Sequence, residues 1–285
     1  MIKVKSFAKL NLGLHIIPKK TLNGFFPIHF INCQINICDE ILFENAIEII
    51  FKCNDLKDPK GSSNLIIKAF YLLRNYSKNN KFGAKIILNK KIPITSGFGG
   101  GSSNAAITLK ALSKLWNLKI SNKKYFEFAD KLGRDVFYNL IGGLCEVKGD
   151  GNIVKKLNFN LPRLWLVIII PNQVKSSTEY MYKNIDLEKV GENMDKITKL
   201  KTAIKNKNIE EIFKNLHNDF EFSVEKLFPI VVKIKDDLLL NNAKKTLLAG
   251  SGLSVVGFYK SKIDAKKAYD KLKNVYNNIL LTYTL

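Results

Sequence analysis

A glycine-rich segment, residues 91–106 (KIPITSGFGGGSSNAA), carries the chemistry that is most readily inferred from the sequence. Four glycines let its backbone approach a ligand closely and adopt positive φ angles; they are Gly97, Gly99, Gly100 and Gly101. Ser102, Ser103 and Asn104 then open a predicted helix, whose first amide groups have no partner within the helix. These amides and the helix dipole predict a phosphate-binding site, where a serine hydroxyl can also hold Mg²⁺.

The structural alternative for this segment is a flexible turn that only caps a helix. Three consecutive glycines followed by two serines, between a strand and an amphipathic helix, disfavour that alternative. The segment fits neither the Walker pattern GxxxxGK[ST] nor the dinucleotide pattern GxGxxG opening a βαβ unit. No protein-kinase set with HRD and DFG occurs in the chain. The phosphate-binding prediction therefore points to another family.

The elements that position this segment are predicted from hydrophobic periodicity. A helix begins after Ser62 or Ser63, and a second helix runs from about Ser103 to Trp116. Strands are predicted at 2–17, 28–43, 84–89, 161–171, 253–259 and 278–284, a turn at 18–24, and further helices within 188–240 and at 265–275. This order is mixed α+β rather than a regular βαβ alternation.

Length and composition predict a globular protein. The 285 residues, 46% of them hydrophobic, can bury one large core or two joined ones. A change in composition near 155–161 predicts an N-terminal domain at 1–157 and a C-terminal domain at 158–285. The longest apolar run, 164–170, is far short of the ~20 residues that span a bilayer, and no signal peptide is recognisable. We therefore expect a cytoplasmic protein without a membrane partner.

The formal charge of +21 is compatible with nucleic acid, membrane or phosphorylated metabolites as partners. The lysines are scattered from Lys3 to Lys273, which favours a solvated basic surface over a nucleic-acid footprint. Four cysteines occur without a CxxC pair, so a metal cluster of Cys33 and Cys38 with His29 is disfavoured. Reduced thiols are the preferred interpretation.

Residues 93–106 resemble the second signature motif of the GHMP kinases, in the form P-x-x-x-G-L-G-G-G-S-S-[ND]-A-A. Residues 7–16 (FAKLNLGLHI) resemble the opening A-K-I-N-L-x-L-x-I of the same family, and residues 132–136 (LGRDV) resemble its L-G-x-D-V segment. Residues 249–256 (AGSGLSVV) are similar to its C-terminal glycine-rich motif. The resemblance spans essentially the whole chain.

This resemblance implies a two-domain α+β GHMP kinase fold with mixed and antiparallel sheets and an active site in the inter-domain cleft. It implies ATP as co-substrate, Mg²⁺, a small-molecule acceptor, no nucleic-acid partner, and a monomer or homodimer. Asp135 is then the catalytic base and Lys9 its partner, while Ser103, or alternatively Ser102, holds the metal. The nucleotide-binding residues would be Pro93, Ser96, Gly97, Gly99, Gly100, Gly101, Ser102, Ser103 and Asn104.

The acceptor side of the site is implied in the same way, and its residues would be Asn11, Phe25, Thr178, Gly250 and Ser251. The triple-glycine loop is similar to one branch of the family, whose acceptor carries a cytidyl group bound by a D-G-Y-H sequence. Here that sequence is replaced by residues 23–26 (NGFF), in which Phe25 can stack on a base. Phe26 cannot donate or accept hydrogen bonds as a histidine would, and His29 is a possible substitute, with a strand histidine bound to a local partner as the alternative.

The role of residues 218–221 and the function of the chain each have alternative interpretations. Residues 218–221 (NDFE) resemble an N-D-L-E stretch of the family and are either catalytic or a helix cap with structural carboxylates. The chain is either a kinase of the cytidyl branch or another GHMP enzyme acting on a mevalonate, homoserine or sugar substrate. A third class, a non-catalytic protein that binds anions or nucleic acid, predicts salt-sensitive nucleic-acid binding without phosphoryl transfer.

Overall fold

The structure, a computed structural model, describes residues 1–19, 26–55, 57–79, 81–173 and 177–285. Most of the turn predicted at 18–24, and Phe25 with it, lie outside these residues. Two compact units are present: unit 1 comprises Met1–Ala8, Ile37–Ile94 and Gly99–Gly142, and unit 2 comprises Lys9–Asn36, Thr95–Phe98 and Gly143–Leu285. Both units take segments from several parts of the chain, so the boundary predicted at residue 157 stays a prediction.

Unit 1 combines a mixed sheet with helices. Its elements are the first part of β1 (Ile2–Ile16), the second part of β2 (Ile28–Ala46), β3 (Ile49–Cys53), α1 (Leu65–Ser77), β4 (Gly83–Asn89), α2 (Gly100–Leu115), α3 (Asn122–Leu132) and α4 (Arg134–Ile141). Strand β4 pairs antiparallel with β2 and parallel with β3. Helices α1 and α2 pack together, and α2 also contacts α4. Helices α3 and α4 were not predicted from the periodicity.

The start of α1 corrects one prediction. The predicted caps Ser62 and Ser63 form a short 3₁₀ helix with Gly61, and Asn64 is the residue that caps α1. Its Oδ1 accepts a hydrogen bond from the backbone N–H of Ile66 at 2.8 Å. Asparagine is as good an N-cap as serine, so the cap chemistry was right and the position was wrong.

Besides the second part of β1 and the first part of β2, unit 2 contains the remaining elements. They are β5 (Cys145–Lys148), β6 (Ile153–Lys156), β7 (Trp165–Ile169), α5 (Thr178–Lys183), α6 (Asp195–Lys205), α7 (Ile209–Asn215), β8 (His217–Asn218), α8 (Glu221–Leu227), α9 (Pro229–Leu240), β9 (Lys245–Leu248), β10 (Val255–Tyr259), α10 (Lys262–Leu272) and β11 (Ile279–Tyr283). The strands β11, β7, β10 and β9 form an antiparallel sheet in that order. The apolar run at 161–171 therefore contains a buried strand, as predicted.

Within the described residues the structure contains neither a membrane-spanning helix nor a disulfide. No helix within these ranges is long and apolar enough to cross a bilayer. None of the four cysteines, all of which lie in the described ranges, forms a disulfide.

Strand β1 places alternate side chains on one face in unit 2. Because side chains of a strand point to opposite faces in turn, Lys9, Asn11, Gly13 and His15 share that face. The end of β1 pairs in parallel with β8, with Gly13 opposite His217. The strand thus runs from the predicted catalytic lysine to a buried histidine.

A buried histidine cluster lies at the end of this strand. His15 is completely buried and stacks on His217, with ring centroids 4.8 Å apart. His217 Nε2 donates to Asp219 Oδ1 at 2.6 Å, and Asp219 Oδ2 accepts from the backbone N–H of Ile16 at 2.6 Å. Burial, and then the neighbouring His217, lower the pKa of His15 to about 4, which Asp219 only partly opposes.

This cluster predicts a loss of stability in acid. The unfolded chain binds a proton at His15 near the ordinary pKa of 6.5, whereas the folded protein does so only near 4. The free energy of unfolding should therefore fall as the pH drops from 6.5 towards 4. In urea titrations over this range, His15→Leu should show a shallower pH dependence than the wild type. An unchanged slope in His15→Leu would assign the acid sensitivity to other groups.

Candidate active site

The glycine-rich segment enters helix α2 earlier than predicted. The helix begins at Gly100 rather than at Ser103, and Gly99 precedes it with φ of +67°. The backbone N–H of Ser103 donates to the carbonyl oxygen of Gly99 at 2.9 Å, which closes the first turn. The amides of Gly100, Gly101 and Ser102 thus belong to the first turn, where backbone donors lack partners within the helix.

The glycines of the segment meet different surroundings. At Gly97, φ is +87° and an added Cβ would lie 2.1 Å from the carbonyl oxygen of Ala249. At Gly100, an added Cβ would lie 2.9 Å from Ile92 Cγ2. At Gly101, the nearest atom would be Leu65 Cδ1 at 3.6 Å, an ordinary contact. The fold therefore requires glycine at 97 and favours it at 100, whereas at 101 it leaves room for a side chain.

A buried aspartate, which the sequence analysis did not identify, anchors both sides of the segment. Asp39 is fully buried, and its Oδ1 accepts the backbone N–H groups of Lys91 and Ile92 at 2.7 Å each. Its Oδ2 accepts from Lys90 Nζ at 2.9 Å and from Asn104 Nδ2 at 2.7 Å. The signal in the sequence was a pair of adjacent acidic residues, Asp39 and Glu40, within an otherwise strand-like run.

The side chain of Asn104 is thus committed to Asp39 through its amide nitrogen. Asn104 is buried, and its Oδ1 has no hydrogen-bond partner among the described residues. The predicted contact of Asn104 with the nucleotide stays a prediction. Pro93 and the buried Ser96 lie between β4 and α2, and their predicted contacts with the nucleotide also stay predictions.

The two serines of the segment differ in their surroundings. Ser103 is buried, and its hydroxyl donates to the carbonyl oxygen of Phe7 at 2.8 Å while accepting from Ser6 Oγ at 2.7 Å. Ser102 is half-buried. A serine hydroxyl has two lone pairs, so these contacts leave Ser103 one lone pair for a cation. The choice between Ser103 and Ser102 as the magnesium contact stays a prediction.

Four predicted site residues from three separate motifs meet in unit 2. Lys9 is buried, and its Nζ donates to Asn11 Oδ1 at 2.7 Å. A Cβ added to Gly250 would lie 3.5 Å from Asn11 Oδ1, 3.5 Å from the carbonyl oxygen of Gly97 and 3.6 Å from Lys9 Nζ. The opening strand, the glycine-rich segment and the C-terminal glycine motif thus converge on one place.

The stretch 218–221 supports the C-terminal glycine motif. Asn218 Nδ2 donates to the carbonyl oxygens of Leu248 and Gly250, at 2.9 and 2.8 Å. Its Oδ1 accepts from the backbone N–H of Phe220 at 3.0 Å, and Glu221 accepts from the backbone N–H of Leu248 at 2.8 Å. These contacts favour the structural alternative for this stretch over a catalytic one.

Two further acceptor-side residues, Thr178 and Ser251, lie at or near helix α5. Ser251 Oγ donates to Thr178 Oγ1 at 3.4 Å, so these two predicted residues are brought together. Tyr182, which the sequence analysis did not identify, lies on the same helix and faces Phe26. Their rings are nearly parallel, at 11°, with centroids 6.4 Å apart. This separation is that of a direct aromatic pair, so the two rings form one flat aromatic surface.

His29 is held by a local partner, as the alternative interpretation predicted. Its Nε2 lies 2.8 Å from Glu146 Oε1, and Lys201 Nζ donates to Glu146 Oε2 at 3.0 Å. Burial alone raises the pKa of the Glu146 carboxyl, but the hydrogen bonds from His29 and Lys201 outweigh burial and bring the pKa to about 2. Glu146 is therefore ionised at neutral pH and fixes the His29 ring.

Asp135 lies in the first turn of helix α4 and is half-buried. At the other end of α4, Lys110 Nζ donates to the carbonyl oxygen of Leu140. This contact places a positive charge at the helix C-terminus, where the dipole favours it. Asp135 belongs to unit 1 and Lys9 to unit 2, and their pairing stays a prediction.

The family of the chain is established by comparison. A model of the GHMP kinases N-terminal domain matches residues 64–147, and one of the GHMP kinases C-terminal domain matches residues 200–278. The chain belongs to the GHMP kinases. It is 34% identical to the 4-diphosphocytidyl-2-C-methyl-D-erythritol kinase of Thermoanaerobacter pseudethanolicus over 284 residues, covering 100% of this chain and 96% of that protein. The kinase of the same name from Alkaliphilus oremlandii is 33% identical, with 99% and 96% covered.

Solved structures agree with this assignment. A crystal structure of 4-(cytidine 5'-diphospho)-2C-methyl-D-erythritol kinase has a TM-score of 0.85 at 25% identity and covers 99% of both chains. Homoserine kinase from Cytophaga hutchinsonii shares the fold, with a TM-score of 0.75 at 18% identity, covering 100% of this chain and 94% of that chain. The predicted two-domain GHMP fold is confirmed. The protein is a small-molecule kinase with ATP as its co-substrate.

Proposed function

We propose that the protein phosphorylates the 2-hydroxyl of 4-diphosphocytidyl-2-C-methyl-D-erythritol, a step towards isoprenoid precursors. Relatives of that name match the chain over its full length. The structural observation that carries the proposal is the convergence of Lys9, Asn11 and Gly250. There, an ammonium group and a side-chain amide lie beside a glycine, which has no side chain to exclude a ligand. This arrangement suits the binding of an acceptor hydroxyl.

In the proposed reaction each residue has one task. Asp135 accepts the proton of the acceptor hydroxyl as that oxygen attacks the γ-phosphorus of ATP. The Lys9 ammonium stabilises the charge that develops on the transferred phosphoryl group, and ADP leaves. The amides of the first turn of α2 bind the phosphates. Mg²⁺, when bound with ATP through Ser103, supplies charge neutralisation on the phosphate oxygens.

The cytidyl group of the proposed acceptor would stack at Phe26 and Tyr182. Their near-parallel rings form a flat aromatic surface for a base to stack against. Phe26 stands where the cytidyl branch has a histidine, so recognition of the cytosine edge must use other groups. Because His29 is already bound to Glu146, we do not assign it that task.

Magnesium-dependent release of ADP tests this function. Purified protein would be given ATP with 4-diphosphocytidyl-2-C-methyl-D-erythritol, mevalonate or homoserine in separate reactions. We expect release only with the cytidyl substrate. Release only with another alcohol would retain the kinase family and replace the substrate. No release with any of the three would contradict the proposed acceptor class.

A second candidate, another GHMP kinase, is favoured by Phe26 alone, since it removes the imidazole used for the cytosine. The protein would then act on a mevalonate, homoserine or sugar substrate. For either candidate we propose a cytoplasmic monomer or homodimer without a nucleic-acid partner. The scattered distribution of the lysines supports that last point.

A further inference from the structure

A chain of hydrogen bonds extends from Lys9 to a residue outside the family motifs. Lys9 Nζ donates to Asn11 Oδ1 at 2.7 Å, and Asn11 Nδ2 donates to Asn32 Oδ1 at 2.6 Å. All three side chains are buried, with exposures of 6%, 2% and 0%. All three belong to unit 2, where β1 carries Lys9 and Asn11 and β2 carries Asn32.

This chain fixes which way the amide of Asn11 points. An ammonium group is only a donor, so the oxygen of Asn11 must face Lys9 and the nitrogen must face the other way. The nitrogen then needs an acceptor in a buried place, and Asn32 Oδ1 supplies it. Without that acceptor, a buried donor is left unsatisfied, which is unfavourable. Asn32 therefore opposes rotation of the Asn11 amide.

Asn32 is an unexpected residue for its position. Its neighbours in β2, Ile31 and Cys33, are also buried, so an apolar residue would fit the surroundings. The Nδ2 of Asn32 has no hydrogen-bond partner among the described residues. Burial of a polar side chain with one group unsatisfied lowers stability. The contact with Asn11 is the compensation that the structure shows.

We propose that Asn32 is a positioning residue for phosphoryl transfer, acting through Asn11. By holding the Asn11 amide, it keeps Asn11 Oδ1 on Lys9 and so fixes the ammonium beside Gly250. This inference rests on the proposed function of Lys9 and Asn11 as acceptor-side residues. It adds a residue that acts from behind the site, without touching the acceptor.

Two substitutions separate the acceptor of Asn32 from its donor. Asn32→Leu removes both, whereas Asn32→Asp keeps an acceptor oxygen towards Asn11 Nδ2 and replaces the Nδ2 donor with a second carboxylate oxygen. We expect Asn32→Leu to lower kcat by about 10- to 100-fold, because misplacing a positioned group carries costs of this order. The KM for ATP should stay unchanged, and Asn32→Asp should recover most of kcat. A buried asparagine elsewhere in unit 2, replaced in Asn215→Leu, controls for loss of stability without a change in kcat.

Coupling to Asn11 provides the decisive measurement. In an Asn11→Ala background, Asn32→Leu should have no further effect on kcat, since the group it positions is gone. An equal loss in both backgrounds, or an equal loss in Asn32→Asp and Asn32→Leu, would overturn the proposal. So would wild-type kcat in Asn32→Leu.

A readout without turnover separates this inference from the proposed function. In the wild type, the side-chain N–H protons of Asn11 should exchange slowly with solvent by NMR, and in Asn32→Leu about tenfold faster or more, because their acceptor is gone. Slow exchange together with no kinase activity would contradict the proposed function and leave the hydrogen-bond chain intact. Equal exchange in both proteins would overturn the hydrogen-bond chain itself.

Discussion

Asp135→Asn is expected to lower kcat by about 10²- to 10⁴-fold, the usual contribution of a general base. The amide has nearly the shape of the carboxylate but cannot accept the proton of the acceptor hydroxyl. ATP binding should change little, because the proposed phosphate contacts belong to the first turn of α2. Initial rates of ADP release and ATP affinity by calorimetry would measure the two effects separately.

A matched control for this substitution lies one helix earlier. Asp130 forms an exposed ion pair with Arg134, which follows it by four residues, and its side chain is 62% exposed. Asp130→Asn removes the same charge from the same unit at an exposed position. We expect a kcat close to that of the wild type. Equal activity of Asp135→Asn and Asp130→Asn would exclude Asp135 as the base.

Gly97→Ala is expected to have the second large effect, on stability and activity together. The backbone at φ of +87° disfavours a side chain, and the added Cβ would lie 2.1 Å from the Ala249 carbonyl oxygen. Left-handed backbone alone costs ~1–2 kcal/mol for an L-residue. The clash adds to this cost, since the contacted atom is backbone, directly after β9, and not the flexible end of a side chain. Urea unfolding should therefore show a loss of about 2 kcal/mol or more.

Gly101→Ala is the matched comparison within the same segment. Its Cβ meets only Leu65 Cδ1 at 3.6 Å, and alanine is favoured over glycine inside a helix by about 1 kcal/mol. This variant should be at least as stable as the wild type but have a raised KM for ATP, because the methyl group occupies the approach of the phosphates. If Gly97→Ala proved as stable as Gly101→Ala, the close approach of Gly97 to Ala249 would be contradicted.

The parts of the fold that were predicted correctly have local causes. Alternation of apolar and polar residues over 2–17 and 28–43 marks strands without reference to any other segment. The glycine-rich segment is recognisable for the same reason, since glycine indicates a backbone that adopts positive φ angles or approaches another group closely. The start of α2 was placed too late because glycine is a poor helix former. In the structure, tertiary hydrogen bonds of Ser103 and Asn104 hold that first turn in place.

The residues that were missed depend on partners far away in the sequence. Asp39 bonds residues more than fifty positions later, and Asn32 bonds Asn11 from a neighbouring strand. Neither belongs to a motif, and a buried polar residue in a strand looks unfavourable until its partner is known. The family motif also did not distinguish residues that contact a ligand from residues that hold the loop in place. Asn104 is an example, because its amide nitrogen donates to Asp39.

The contacts of Asp39 have a consequence for the entropy of nucleotide binding. One carboxylate holds the chain at Ile92, before the glycines, and at Asn104, after them, so the segment between is a closed loop. Ordering a backbone costs about 1–2 kcal/mol per residue in conformational entropy, and closing the loop removes part of this entropy when the protein folds. Less conformational entropy is then lost when phosphates bind. A buried charge that never meets the nucleotide would in this way raise the affinity of its site.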